Sequence, residues 1–159
     1  ESLSSFDSKK GWDVSLIEGI VREDFDDLVQ GNKFRNDFDV KFAKNGRLWM
    51  MKNGNDPVWK TKQACVFNHL YFWKKVIESN ESYPLVYNKS NEWANAYMVP
   101  GTASYAITPA GAKKMLEAAL TIGLDQSDYI LNTKNCNIQY INPSPVVFNT
   151  QYVTTSWGM

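Results

Sequence analysis

The clearest pattern of apolar and polar positions lies in residues 60–78, where apolar residues recur at steps of three and four. This spacing is typical of a helix face that packs against a core. The first stripe contains Val66, Leu70, Trp73 and Ile77. A second stripe beside it contains Cys65, His69, Phe72 and Val76. The two stripes together predict a helix with a broad apolar side, buried against a sheet.

Residues 108–123 predict a second helix with recognisable ends. Thr108 is a good N-cap, Pro109 suits the first helical position, and Gly123 is a good C-terminal stop. The buried stripe is expected to contain Ala112, Met115, Leu116 and Ala119. A shorter helix is indicated within residues 22–31, ending at Gly31.

Short apolar or alternating runs predict strands within residues 11–20, 83–87, 137–141 and 145–149, and residues 103–107 are β-prone. Residues 31–58 are rich in Asn, Gly, Lys and Asp, which favours an irregular segment with one strand at most, and residues 88–95 resemble a turn. A helix followed by a short turn and a strand favours an α/β arrangement. We expect a single domain over residues 1–159.

Composition narrows the classes of function. The chain has 159 residues with 17 basic and 17 acidic side chains, so a basic nucleic-acid-binding surface is not supported and we expect no nucleic-acid partner. No apolar run approaches the roughly 20 residues that span a bilayer, so we expect no transmembrane segment. Two cysteines in a chain of this length do not make a disulfide scaffold, and they lack the CxxC spacing of a metal site, so we expect reduced thiols and a cytoplasmic location. Aromatic residues make up 14% of the chain, which fits a core of large side chains and also a ring-lined surface for sugars or bases.

The only histidine of the chain, His69, follows Asn68 inside the apolar helix. A buried imidazole needs hydrogen-bond partners for its ring nitrogens. The pair is therefore either a satisfied feature of the core or part of a site.

Four segments in order resemble glycosyltransferase family 25, the lipopolysaccharide and procollagen galactosyltransferase-like group. They are "QACVFNHLYFWKKVIES", with Asn68 where the family usually has Ser before His, then "GTASYAITPAGAKKML", "GLDQSDYIL" and "INPSPVV". The resemblance implies a GT-A-like fold, an open α/β sheet flanked by helices that holds a nucleotide-sugar donor. It also implies transfer of a sugar to a glycan or protein hydroxyl, usually with a divalent metal, Mn²⁺ or Mg²⁺.

The chain departs from this family pattern after residues 83–87. No Glu-Asp-Asp motif follows there, and fewer than twenty residues separate this predicted strand from Gly101. We therefore expect a chain that is shortened or lacks segments in this region. The departure favours an alternative, a non-enzymatic binding or structural module that has lost the acidic metal motif. A third possibility is a small α/β protein of other function.

The resemblance and the chemistry of glycosyl transfer together suggest the site residues. Asp125 and His69 are the catalytic candidates, and Asp125 with Asp128 is the candidate metal pair, because carboxylate oxygens suit Mn²⁺ or Mg²⁺. The candidate substrate-binding residues are Asn68, Gly101, Thr102 and Tyr105. Each has a plain structural alternative: Asp125 as a helix cap, Asp128 as a solvated acid, His69 and Tyr105 as core residues, and Gly101 with Thr102 as a turn.

Overall fold

The computed structural model describes residues 19–22, 38, 41–79, 92–95, 105–132 and 134–142. The helices in these ranges are α1 (Arg47–Asn53), α2 (Trp59–Ser79), α3 (Pro109–Ile122) and α4 (Ser127–Ile130). The strands are β1 (Glu92–Asn95) and β2 (Gln139–Asn142), which pair antiparallel with Trp93 opposite Ile141.

The predicted GT-A-like open α/β sheet is contradicted. Helices dominate the described residues, and their named strands form only the antiparallel β1–β2 pair. The apolar side of α2 is covered by α3 instead of a sheet. Ala112, Met115 and Ala119 of α3 are fully buried, and the two alanines let the helices approach closely. Apolar periodicity shows that a face is covered but does not show what covers it, which is why the fold-class prediction was wrong.

Helix α2 confirms the prediction from residues 60–78 and extends it by one residue at each end. Leu70 and Trp73 have no exposed surface, and Val66 is also buried. The buried face continues onto Gln63, Ala64 and Phe67 rather than onto the second predicted stripe. Cys65 is exposed, and His69, Phe72 and Val76 are half-buried at the edge of the face. The second stripe is therefore a boundary between core and surface.

Helix α3 begins and ends as its sequence predicts. The Thr108 hydroxyl accepts a hydrogen bond from the Gly111 N–H at 3.1 Å, and Pro109 opens the helix. Gly123 follows the last turn with φ of 102°, and its N–H donates to the Ala119 carbonyl at 3.1 Å. This value of φ lies in a region that side chains with a Cβ rarely adopt.

Two of the predicted irregular stretches are ordered differently. The prediction of an irregular segment over residues 31–58 was wrong for residues 47–53, which form α1, with Leu48 fully buried. A short parallel bridge joins Phe42 to Leu124 just before this helix. Residues 92–95 form β1 rather than a turn, and β2 confirms the strand predicted near residues 137–141.

Residues 105–107 of the β-prone stretch 103–107 are described and form no named strand. The other predicted elements lie outside the described residues. They are the helix within residues 22–31 beyond its first residue, most of the strand within 11–20, and the strands at 83–87 and 145–149. Most of the region expected to lack segments, residues 80–97, also lies outside them. Across the described ranges, no helix combines the length and apolar character needed to cross a bilayer.

We expect Gly123→Ala to lower the free energy of unfolding by about 2 kcal/mol or more, because φ is strained for alanine. The added Cβ would also lie only 2.6 Å from the Ala43 backbone nitrogen. Chemical denaturation measures the effect. Gly54→Ala is the matched control, since φ there is −81°, and it should change stability by less than about 1 kcal/mol. Equal effects at the two glycines would contradict this account.

Candidate functional site

The most connected polar group at the edge of α2 is the Tyr105 hydroxyl. It lies 2.7 Å from Nδ1 of His69 and accepts a hydrogen bond from Nε1 of Trp73 at 2.9 Å. The ring centroids of His69 and Tyr105 are 5.5 Å apart, and Phe72 packs edge-on against Tyr105 at 5.9 Å. Helix α2 and the segment that leads into α3 therefore meet at one small cluster of rings joined by hydrogen bonds.

The helix geometry explains why these residues come together. His69 and Trp73 are four residues apart on α2, so their side chains lie on the same side of the helix. Tyr105 stands four residues before Pro109, the first residue of α3. Since α3 packs along α2, the segment before α3 passes the same edge of α2.

Both titratable groups of this pair are neutral near pH 7. Desolvation raises the pKa of Tyr105 to about 12, although the hydrogen bond from Trp73 opposes part of the rise. Desolvation also lowers the pKa of His69, while the negative charge of Asp128 acts in the opposite direction. The pair therefore presents an uncharged imidazole beside a protonated phenol.

Cys65 lies one helical turn before His69, and its thiol is also kept protonated. Although part of Cys65 is exposed, partial desolvation is the largest cause that raises its pKa, and the charge of Asp128 adds to it. Lys62 and a hydrogen bond with Ser127 oppose these effects. A raised thiol pKa does not favour a thiolate nucleophile at this position.

Asp125 caps α1 from a distant point of the chain. Its Oδ1 accepts hydrogen bonds from the N–H groups of Leu48 at 3.0 Å and Gln126 at 2.8 Å. Its Oδ2 accepts from the Arg47 N–H at 3.3 Å. Leu48 and Arg47 are the first two residues of α1, so Asp125 satisfies backbone donors that the helix itself leaves free.

Asp125 and Asp128 therefore have different neighbours. Asp125 faces the start of α1, whereas the charge of Asp128 acts on His69 and Cys65. The described part of the chain contains no group of three or more His, Cys, Asp or Glu residues that could hold a metal ion. Metal binding by this pair remains a prediction.

Asn68 is bound to the backbone of Ile20. Its Oδ1 accepts from the Ile20 N–H at 2.7 Å, and its Nδ2 donates to the Ile20 carbonyl at 2.9 Å. The amide therefore ties the segment at residues 19–22 to α2. Tyr105, rather than Asn68, makes the hydrogen bond to the His69 ring.

The other two substrate-binding candidates, Gly101 and Thr102, lie outside the described residues. Trp73 was not among the candidates, yet its indole N–H completes the cluster around Tyr105. Its place four residues after His69 is the one sequence signal that could have identified it.

Comparison with known proteins adds no relative. No protein-family model matches the chain, and neither a curated protein nor a solved structure is significantly similar to it. The resemblance to glycosyltransferase family 25 therefore remains a prediction.

We expect Asp125→Ala to lower the free energy of unfolding by about 1–2 kcal/mol, the usual cost of removing a helix cap. Thermal or chemical denaturation measures the change. Glu117→Ala, which removes an exposed carboxylate from α3, is the control and should stay within about 0.5 kcal/mol. If Asp125→Ala were as stable as the control, the capping role of Asp125 would be refuted.

Proposed function

We propose that the chain transfers a sugar from a nucleotide-sugar donor to a hydroxyl group of a glycan or protein, with the His69–Tyr105 pair at its sugar-binding surface. One observation supports the proposal. Three of the segments that resemble family 25 converge on His69, through its own helix, the hydrogen bond to Tyr105, and the charge of Asp128. We do not extend the proposal to a GT-A-like fold, because the predicted open sheet is contradicted.

The chemistry of the cluster suits a sugar or a phosphate. His69 and Tyr105 are both half-buried, so part of each side chain remains accessible. Pockets that bind small polar ligands combine aromatic walls with a few placed hydrogen-bonding groups. An imidazole beside aromatic rings provides both, and its neutral form has no ionic hydration shell to lose on binding.

The described residues contain only part of the set of ligands that a divalent metal would need at this cluster. A metal ion would stabilise the negative charge on the departing diphosphate. Asp125 already accepts three backbone hydrogen bonds. Asp128, whose charge acts on His69, is therefore the remaining carboxylate candidate for a metal ligand among the described residues. One carboxylate does not make a metal site, and we derive no step through a metal.

A second candidate function is a glycan-binding module without catalysis. The observation that favours it is the use of Asp125 as a helix cap, which occupies the better of the two acidic candidates. Such a module would bind the sugar at the same His69–Tyr105 surface but would not cleave a nucleotide sugar.

Calorimetric titration with UDP-galactose and UDP-glucose, with and without Mn²⁺, tests the proposal. Release of UDP measures turnover, because without an added acceptor the sugar is transferred to a water oxygen. We expect both binding and UDP release. We also expect Tyr105→Phe to weaken binding roughly tenfold, or by about 1.4 kcal/mol, because the hydrogen bond that orients the His69 ring is lost.

Tyr129→Phe is the matched control, because it removes the same hydroxyl from an exposed ring near Arg47. It should bind the donor like the unchanged protein. Binding without UDP release would favour the non-catalytic module, and no binding of either sugar nucleotide would contradict transfer from these donors.

A further inference from the structure

We infer that Tyr105 is a positioning residue that holds His69 in the tautomer protonated at Nε2, so that this surface offers its ligand a hydrogen-bond donor. The inference deepens the proposed function, and it rests on that function only for the nature of the ligand. The ligand atom that such a donor recognises is an acceptor oxygen, which a nucleotide sugar carries both on its diphosphate and on its sugar hydroxyls.

The Tyr105 oxygen lies between two nitrogen atoms, Nε1 of Trp73 and Nδ1 of His69. A phenol has one proton to donate and can accept two hydrogen bonds, whereas the indole nitrogen of tryptophan can only donate. The 2.9 Å contact with Nε1 of Trp73 is therefore a bond that Tyr105 accepts. Since Trp73 is fully buried, its indole N–H depends on this acceptor.

The proton of the hydrogen bond between Tyr105 and His69 belongs either to Nδ1 of His69 or to the Tyr105 hydroxyl. If Nδ1 of His69 were protonated, Tyr105 would accept two bonds and its own proton would have no acceptor among the described residues. If Tyr105 instead donates to Nδ1, the Trp73 N–H, the Tyr105 hydroxyl and Nδ1 are all paired. The donor without a partner among the described residues is then the Nε2–H of His69.

The arrangement in which Tyr105 donates to Nδ1 is favoured because its two hydrogen bonds reinforce each other. The chain of bonds then runs in one direction, from the Trp73 N–H to the Tyr105 oxygen and from the Tyr105 O–H to Nδ1. Hydrogen bonds that are linked in this way polarise one another. Desolvation, which raises the pKa of Tyr105 to about 12, keeps the phenol proton available for donation.

The consequence concerns the other ring nitrogen. A neutral imidazole with a bare Nδ1 carries its proton on Nε2. The titratable groups that act on the imidazole and on its neighbours are Asp128 of α4 and Cys65 and Lys62 of α2. Among the described residues, the hydrogen bond of the His69 ring is the one at Nδ1, and we assign the Nε2–H to a ligand oxygen.

The test uses the fact that His69 is the only histidine, so its nitrogen signals need no assignment. Long-range ¹H–¹⁵N correlation spectra of the full chain at neutral pH report the tautomer directly. We expect Nδ1 at the chemical shift of an unprotonated nitrogen and Nε2 at that of a protonated one. The reverse pattern, or two averaged signals, would overturn the inference.

Two variants then test whether Tyr105 sets the tautomer of His69 or only contributes to packing. In Tyr105→Phe the two nitrogen shifts should move toward each other, because the donor that fixes the tautomer is lost. Tyr129→Phe should leave both shifts unchanged. Unaltered nitrogen shifts in a folded Tyr105→Phe protein would show that Tyr105 does not set the tautomer.

Two ligand probes distinguish this inference from the proposed function. UDP tests the diphosphate as the source of the oxygen, and methyl β-galactoside tests the sugar hydroxyls. A shift of the Nε2–H proton signal with either probe supports the donor role and identifies the source. If the nitrogen shifts show the expected tautomer but neither probe changes the Nε2–H signal, the positioning role of Tyr105 is supported and the proposed ligand class is contradicted.

Discussion

The indole of Trp73 imposes the constraint on which this part of the structure depends. Its ring is fully buried in the face of α2 that packs on the rest of the protein, and a buried indole must still find an acceptor for its N–H. That acceptor is the Tyr105 hydroxyl, four residues before α3. The same hydroxyl reaches His69, so one hydrogen-bonding need fixes both the entry of α3 and the orientation of the imidazole.

The sequence predicted a helix correctly where the residues that determine it are close together in the chain. The apolar repeat of α2 and the Thr108, Pro109 and Gly123 signals of α3 predicted both helices. Helix α1 was missed because its cap, Asp125, lies 77 residues from Leu48 in the chain. The open sheet was wrongly predicted because an apolar helix face packs equally well against a helix or a sheet.

In the candidate site, too, local sequence identified single residues but not the partners that are distant in the chain. A lone imidazole among apolar residues identified His69, yet its partner Tyr105 is 36 residues away and could not be assigned from spacing. Asn68 was a substrate-binding candidate, but its amide is bound to the Ile20 backbone. The carboxylate of Asp125, chosen for its chemistry, meets the unsatisfied N–H groups at the start of α1. Polar residues chosen from a motif thus acquire their roles from contacts that the motif does not contain.

The claim that the Tyr105 hydroxyl joins α2 to the segment before α3 is tested most directly by a double-mutant cycle. The free energies of unfolding of Trp73→Phe, Tyr105→Phe and the double variant, compared with the unchanged protein, give the coupling between the two side chains. We expect a coupling energy of about 1 kcal/mol, the usual net contribution of a hydrogen bond. Additive effects of the two substitutions would contradict the central role given to this bond.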